Sequence, residues 1–328
     1  MRAVVITRPG GPEVLEIVER GVPETGAAQV LVRVRASALN RADLMQREGH
    51  YPAPPGAPID VPGLEFAGEI AKLGAGVDSW AVGERVFGIV AGGGHADYVV
   101  THASAVARVP DNLSWTDAAA IPEAFITAYD ALVTQAALSA GEMVLVHAAG
   151  SGVGLAGIQL ARAWKATPFG TARTADKIDR ARDYGLVDGI VVGRAVDDVV
   201  PAVERWTSGH GADVVVDLLG GPYVDVSIRA AAQRGRIMLV GTIAGRTPGF
   251  PLGLVLAKRL TLRGTVLRGR SVAEKSVVTA AFSREVVPLL ASGELRPVVD
   301  SVYDLENVRA AHERLAGNAA FGKIVLRM

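Results

Sequence analysis

The run Ala148-Ala149-Gly150-Ser151-Gly152-Val153-Gly154 holds nothing larger than valine and lies between a strand-like segment, Val144-Leu145-Val146, and an apolar helix-like one from Leu155 to Ala161. A strand that ends in such a turn and feeds a helix points the helix's unpaired backbone N–H groups at an anion, and small residues let a pyrophosphate come close. Gly150, Ser151, Gly152 and Val153 are therefore expected to contact a dinucleotide. Against the pattern G-x-G-x-x-G ending at Gly154, the first two glycines are Ala149 and Ser151, so size is kept where identity is lost. Glycine-rich turns also make ordinary strand-to-helix loops; the surrounding βαβ pattern is what points to a nucleotide. Ser151 brings a hydroxyl to the site and is counted both as a cofactor contact and as a catalytic candidate.

About 20 residues on, where an NAD site carries a carboxylate for the ribose hydroxyls, the chain reads Gly170-Thr171-Ala172-Arg173-Thr174-Ala175-Asp176-Lys177. No acid stands at the strand end, whereas Arg173 and Lys177 follow it. A 2′-phosphate needs cations and no nearby carboxylate, so Arg173 and Lys177 point to NADPH, with Thr171 beside them as a further expected cofactor contact. The competing reading is that both cations merely solvate a helix start.

These residues need a scaffold. From Met1 to about Asn112, short β-type segments such as Val30 to Ala36, Phe66 to Leu73 and Arg85 to Val90 are cut by Gly and Pro, the pattern of a β-rich, barrel-like domain. From about Glu123, strand-like and helical runs alternate: Met143 to His147, then Val153 to Trp164; Thr167 to Thr171, then Ala175 to Tyr184; Gly189 to Val192, then Ala195 to Thr207; Ala212 to Leu218, then Tyr223 to Ala232; then Arg236 to Gly241. This alternation predicts an α/β chain with a doubly wound parallel sheet. Leu260 to Val266 reads as its last strand, Val272 to Leu290 as one long helix, and Val298 to Val302 and Ile324 to Leu326 as strands returning to the first domain. The expected divisions are 1–122, 123–266 and 267–328, consistent with about two cores for 328 residues.

Composition narrows the chemistry. With 34 basic and 34 acidic side chains there is no excess charge to attract nucleic acid or a membrane surface. Zero cysteines exclude disulfides, thiolate zinc sites and cysteine nucleophiles. The short apolar run Ala3 to Ile6 lacks the core of a signal peptide, and no stretch approaches the ~20 apolar residues of a membrane span, so the expectation is a cytoplasmic protein.

Ser37-Ala38-Leu39-Asn40-Arg41-Ala42-Asp43-Leu44-Met45-Gln46-Arg47, Gly49-His50-Tyr51-Pro52, Ala120-Ile121-Pro122-Glu123-Ala124, the turn from His147 to Gly154 and the ending Gly322-Lys323-Ile324-Val325-Leu326 carry an end-to-end resemblance. The chain resembles the zinc-free quinone oxidoreductases of the medium-chain dehydrogenase/reductase superfamily, relatives of zeta-crystallin, especially the branch with the tumour-suppressor-inducible quinone reductase. The resemblance implies a GroES-like catalytic domain built from both chain ends, a Rossmann domain between them and a homodimer. It places Asn40, Leu64 and Glu123 where zinc-dependent members keep their cysteine, histidine and cysteine ligands, so no metal is expected. Without a metal, hydrogen-bond donors must polarise the substrate carbonyl, and Asn40 and Tyr51 are the catalytic candidates, Tyr51 also as proton donor. Asp43 is expected to organise the loop. Thr127, Leu218, Leu219, Gly241, Leu267 and Lys323 are implied as further cofactor contacts. Where relatives often place a tyrosine against the adenosine phosphate this chain has Val192, with Arg194 two residues on as a substitute cation.

The expected function is NADPH-dependent reduction of quinones or enones. Reduction of an enoyl thioester is the alternative within enzymes, and NADPH binding with little turnover is the alternative outside them.

Overall fold

A computed structural model describes residues 1–193, 196–245 and 250–328. The chain forms two compact units, one from Met1–Ile126 with Leu267–Met328, the other from Thr127–Val266. The second unit begins inside the helix Pro122–Tyr129.

The second unit is a six-stranded parallel sheet in the spatial order Asp188–Val191, Thr167–Ala172, Met143–Val146, Ala212–Asp217, Ala231–Leu239, Thr261–Gly264. In sequence rank this is 3-2-1-4-5-6, the doubly wound arrangement whose order reverses between Met143–Val146 and Ala212–Asp217. Val144, Leu145, Val146, Val214, Val215 and Val216 are each fully buried, because a central parallel strand is covered on both faces. The helix Gly152–Ala163 follows the first strand, is capped by Ser151 and ends at Trp164, before Lys165 at φ +60°.

The first unit is a mixed sheet in the order Val299–Asp304, Lys323–Arg327, Gln29–Ala38, Glu65–Leu73, Arg85–Ile89, Val106–Arg108, with Tyr98–His102 also paired to Gln29–Ala38. The C-terminal strand returns as expected, Val325 lying opposite Ala38 in an antiparallel register. Arg2–Ile6 and Leu15–Glu19 form a separate two-stranded sheet.

Several elements differ from expectation. The long helix from Val272 divides into Val272–Glu285 and Val287–Ser292, because Pro288 has no N–H to carry the helical bonds through. The fifth strand starts at Ala231, so the preceding helix is Pro222–Ala230. The third helix of the alternation is Val199–Trp206, shorter than expected, and Ala195 lies outside the described residues. Helices Leu252–Lys258 and Val308–Ala316 had no sequence expectation. Among the described residues, no helix is long and apolar enough to cross a membrane.

Candidate functional site

In the parallel-sheet unit, the turn at the end of Met143–Val146 is as tight as its composition suggests. Ala148 sits at φ +56°, and its carbonyl accepts from Ser151 N at 2.9 Å. A Cβ on Gly154 would stand 2.4 Å from that same carbonyl oxygen, so no side chain fits there. Ser151 Oγ accepts from Gly154 N at 3.1 Å, capping the helix while keeping its hydroxyl hydrogen for another acceptor.

The second strand end meets this turn. A Cβ on Gly150 would lie 3.0–3.2 Å from the Lys177 stem, so Lys177 packs its methylenes over the glycine, while Arg173 is exposed. Thr171 faces the other way. Its carbonyl accepts from Ala149 N at 2.8 Å and its hydroxyl lies 3.0 Å from His147 Nδ1. His147 Nε2 reaches Ser227 Oγ at 3.0 Å, and burial pushes the imidazole down to about 4, leaving it neutral. The Thr171 side chain is thus occupied inside the core.

Asp217, at the end of its strand, is a cap: Oδ1 accepts from Leu219 N at 2.9 Å and Gly220 N at 2.8 Å. This fixes the backbone at Leu218 and Leu219. Gly241 packs so closely beside them that a Cβ would meet Leu218 O at 2.4 Å. Thr127 is buried in the same unit, and Val192 lies in its hydrophobic core. Arg194 lies outside the described residues.

In the β-rich unit a buried polar cluster surrounds Asn40. Asp43, fully buried, accepts from Asn40 N at 2.7 Å and from Gly63 N at 2.9 Å, which organises the loop. The Asn40 amide donates to Glu65 Oε1 at 2.9 Å and Ala38 O at 3.3 Å, and its Oδ1 accepts from Lys323 Nζ at 2.6 Å. Lys323 is 6% exposed; it also donates to Leu39 O at 2.9 Å and pairs with Glu65 Oε1 at 2.6 Å. Glu65 Oε2 accepts from Glu123 N at 2.8 Å. Asn40 and Lys323 are therefore both engaged inward, and the amide expected to meet a substrate carbonyl is held in this cluster. Leu267 is buried in this unit.

Burial raises the pKa of Glu65 despite the ammonium of Lys323. Burial, then the charge of Glu65, pushes Glu123 up to about 8, with Asp43 adding and Lys323 and Lys275 opposing. Glu123 is thus a carboxylic acid at neutral pH. Beneath the cluster, Ser37 Oγ lies 2.8 Å from His95 Nδ1, and His95 Nε2 lies 3.9 Å from Asp43 Oδ2. The residue types suggest a serine nucleophile, but all three are fully buried and Ser37 Oγ donates to Glu65 O at 2.7 Å, so the set is internal bracing.

Tyr51 is half-buried on the loop after the helix Arg41–Arg47, under the guanidinium of Arg268, 4.8 Å from its ring centroid. Burial raises its pKa; Arg268 opposes and Glu123 adds to the rise. The phenol is neutral and able to donate a proton throughout the physiological range.

Two family models match, the alcohol dehydrogenase GroES-like domain over residues 26–111 and the zinc-binding dehydrogenase over residues 152–283. The quinone oxidoreductase of Lama guanicoe is 34% identical over 99% of this chain and 97% of its own length. A solved structure described as an NAD-dependent alcohol dehydrogenase superposes with a TM-score of 0.88 at 34% identity, over 100% of both chains. Quinone oxidoreductase of Escherichia coli complexed with NADPH does so with a TM-score of 0.88 at 29% identity, again over 100% of both. The chain belongs to the medium-chain dehydrogenase/reductase superfamily, and quinone oxidoreductases are among its full-length relatives.

Zinc, which the name of one family model implies, does not fit the residues present. Leu64 offers no donor, the Asn40 amide is spent, and the Glu65 carboxylate already faces an ammonium. No acid or histidine group among the described residues has the arrangement of a metal site.

Sequence reasoning missed Glu65 and Arg268. Glu65 had a signal: it is the one charged residue in the otherwise apolar run Val61-Pro62-Gly63-Leu64-Glu65-Phe66-Ala67-Gly68, and a carboxylate buried in such a run needs a cationic or hydrogen-bonding partner.

Proposed function

We propose that the protein is a zinc-independent, NADPH-dependent reductase that transfers hydride to quinones or related conjugated carbonyls. The observation that carries this reading is the Lys323–Glu65–Asn40 cluster, where the lysine ammonium already occupies the carboxylate and amide beside Leu64 and leaves no donor set for zinc. Full-length likeness to quinone oxidoreductases supports the substrate class. Bound NADPH would supply the hydride. Backbone N–H groups at the start of Gly152–Ala163 would hold the pyrophosphate, with Arg173 and Lys177 beside the 2′-phosphate and Ser151 donating from its hydroxyl. Tyr51 would polarise the substrate oxygen and give it a proton. Glu65, Lys323 and Asp43 would keep the Asn40 loop in place.

NADPH oxidation with 1,2-naphthoquinone, 9,10-phenanthrenequinone, simple enones and crotonyl-CoA tests the proposal. Quinone turnover well above thioester turnover is expected. The opposite ranking would identify an enoyl-thioester reductase, and NADPH affinity without oxidation of any substrate a binding protein.

Cofactor choice has its own test. Charge-assisted contacts contribute about 1.5–3 kcal/mol each, less where solvent screens them. The double substitution Arg173→Ala/Lys177→Ala should lower the ratio of kcat/KM for NADPH over NADH by about tenfold or more. An unchanged ratio would remove these two residues from the 2′-phosphate site.

The proposed assembly is a homodimer. Thr261–Gly264 ends the parallel sheet, and the helix Leu252–Lys258 leaves Leu252 65% and Leu256 77% exposed. A monomer in light scattering at micromolar concentration would contradict it.

A further inference from the structure

Arg268 is only 5% exposed, and no carboxylate lies within salt-bridge distance of it among the described residues. A guanidinium taken out of water without an acid must find other acceptors. Its Nε donates to Ala91 O at 2.8 Å, its Nη1 to Tyr51 O at 3.1 Å and its Nη2 to Gln46 Oε1 at 2.6 Å. One rigid fork therefore ties together the helix Arg41–Arg47, the loop bearing Tyr51 and the segment after Arg85–Ile89. The same guanidinium covers the Tyr51 ring, its carbon 4.8 Å from the centroid. The Arg268 carbonyl in turn accepts from Lys275 Nζ at 2.9 Å, which fixes the arginine's own backbone.

We infer that Arg268 is the positioning residue for Tyr51, its fork fixing the loop and its planar face fixing the ring. The catalytic consequence rests on Tyr51 being the proton donor; the positioning itself does not. Lysine cannot do this work, because a single ammonium neither spans three oxygens in a plane nor stacks as a sheet over an aromatic ring. The charge has a second effect. Tyr51 is faced by Arg268, which favours the phenolate, and by Glu123, which opposes it when ionised. Arg268 is faced in turn by Tyr51, Asp43 and Glu123.

The test compares Arg268→Gln, Arg268→Lys and Tyr51→Phe. The first readout needs no turnover: the phenolate absorbance titration of each folded protein, with the Tyr51 component defined by the difference between wild type and Tyr51→Phe. Arg268→Gln should move that component to higher pH. Arg268→Lys should leave it nearer the wild-type position, because the charge stays. The second readout is steady-state kinetics, in which both Arg268 variants should lose about tenfold or more in kcat with KM for NADPH unchanged, as expected when a reacting group is misplaced rather than removed. If Arg268→Gln and Arg268→Lys both titrate and turn over as wild type does, the inference is overturned. Wild-type turnover in Tyr51→Phe would reject the proton-donor role instead, and the titration would still decide whether the Arg268 charge sits against the Tyr51 ring.

Discussion

Replacing Lys323 with methionine is expected to destabilise the protein by about 3–5 kcal/mol, the usual penalty for leaving one member of a buried ion pair without its partner. Lys323 and Glu65 are 6% and 0% exposed, so water cannot take over for the lost ammonium. At ~2–4 °C per kcal/mol for a unit of this size, the thermal midpoint should fall by roughly 6–20 °C. The deficit should depend on pH. Glu65 has a raised pKa in the folded state, so its effect on stability is favourable below the unfolded carboxyl pKa and is lost as pH rises through the folded value. Without Lys323 that folded value rises further, so the variant should lie closest to wild type in acid and fall behind as pH increases. Melting curves at pH 5 and pH 8 check the sign. The double substitution Lys323→Met/Glu65→Gln should recover much of the loss, since it leaves no uncompensated charge. A single variant that melts within a degree or two of wild type at pH 8 would show that the pair does not hold the unit together.

The features readable in the sequence were the local ones. Small residues between a strand and a helix are a contiguous signal, and the turn at Gly150–Gly154 is tight enough that a Gly154 Cβ would stand 2.4 Å from Ala148 O. The alternation of strands and helices likewise pointed to a doubly wound parallel sheet, the class the structure has. The pairing of Lys323 with Glu65 joins opposite ends of the first unit, and no window along the chain contains both. That separation in sequence hides how Asn40 is held. Read alone, its amide is a free donor; with Lys323 and Glu65 in place, both ends of the amide are taken. The hold on the Thr171 hydroxyl was hidden in the same way, since its histidine partner lies on the neighbouring strand end. Pro288 was a local signal left unused, and it accounts for the break after Glu285. Arg268 gave no signal, because its acceptors are mainly backbone carbonyls whose positions only the fold sets.

Tyr51→Phe is expected to lower kcat for quinone reduction by about 10²-fold, within the range general acid catalysis supplies, while NADPH affinity stays the same. The substitution deletes one hydroxyl and keeps the ring under Arg268, so the contact that places the ring survives. The pH profile separates a proton donor from a packed aromatic. Because burial holds the phenol's pKa above its ordinary value near 10, a rate limited by Tyr51 should not decline until the pH approaches that region, and the decline should vanish in Tyr51→Phe. Glu123, an acid up to about pH 8, adds a lower step: its ionisation places a negative charge facing Tyr51 and makes the phenol a weaker acid. Glu123→Gln should therefore flatten the profile between about pH 7 and 9 without abolishing turnover. Loss of kcat smaller than twofold in Tyr51→Phe, at every pH and with every carbonyl substrate, would mean that the proton reaches the product from solvent. Tyr51 would then serve the packing of its loop under Arg268 and not the proton transfer.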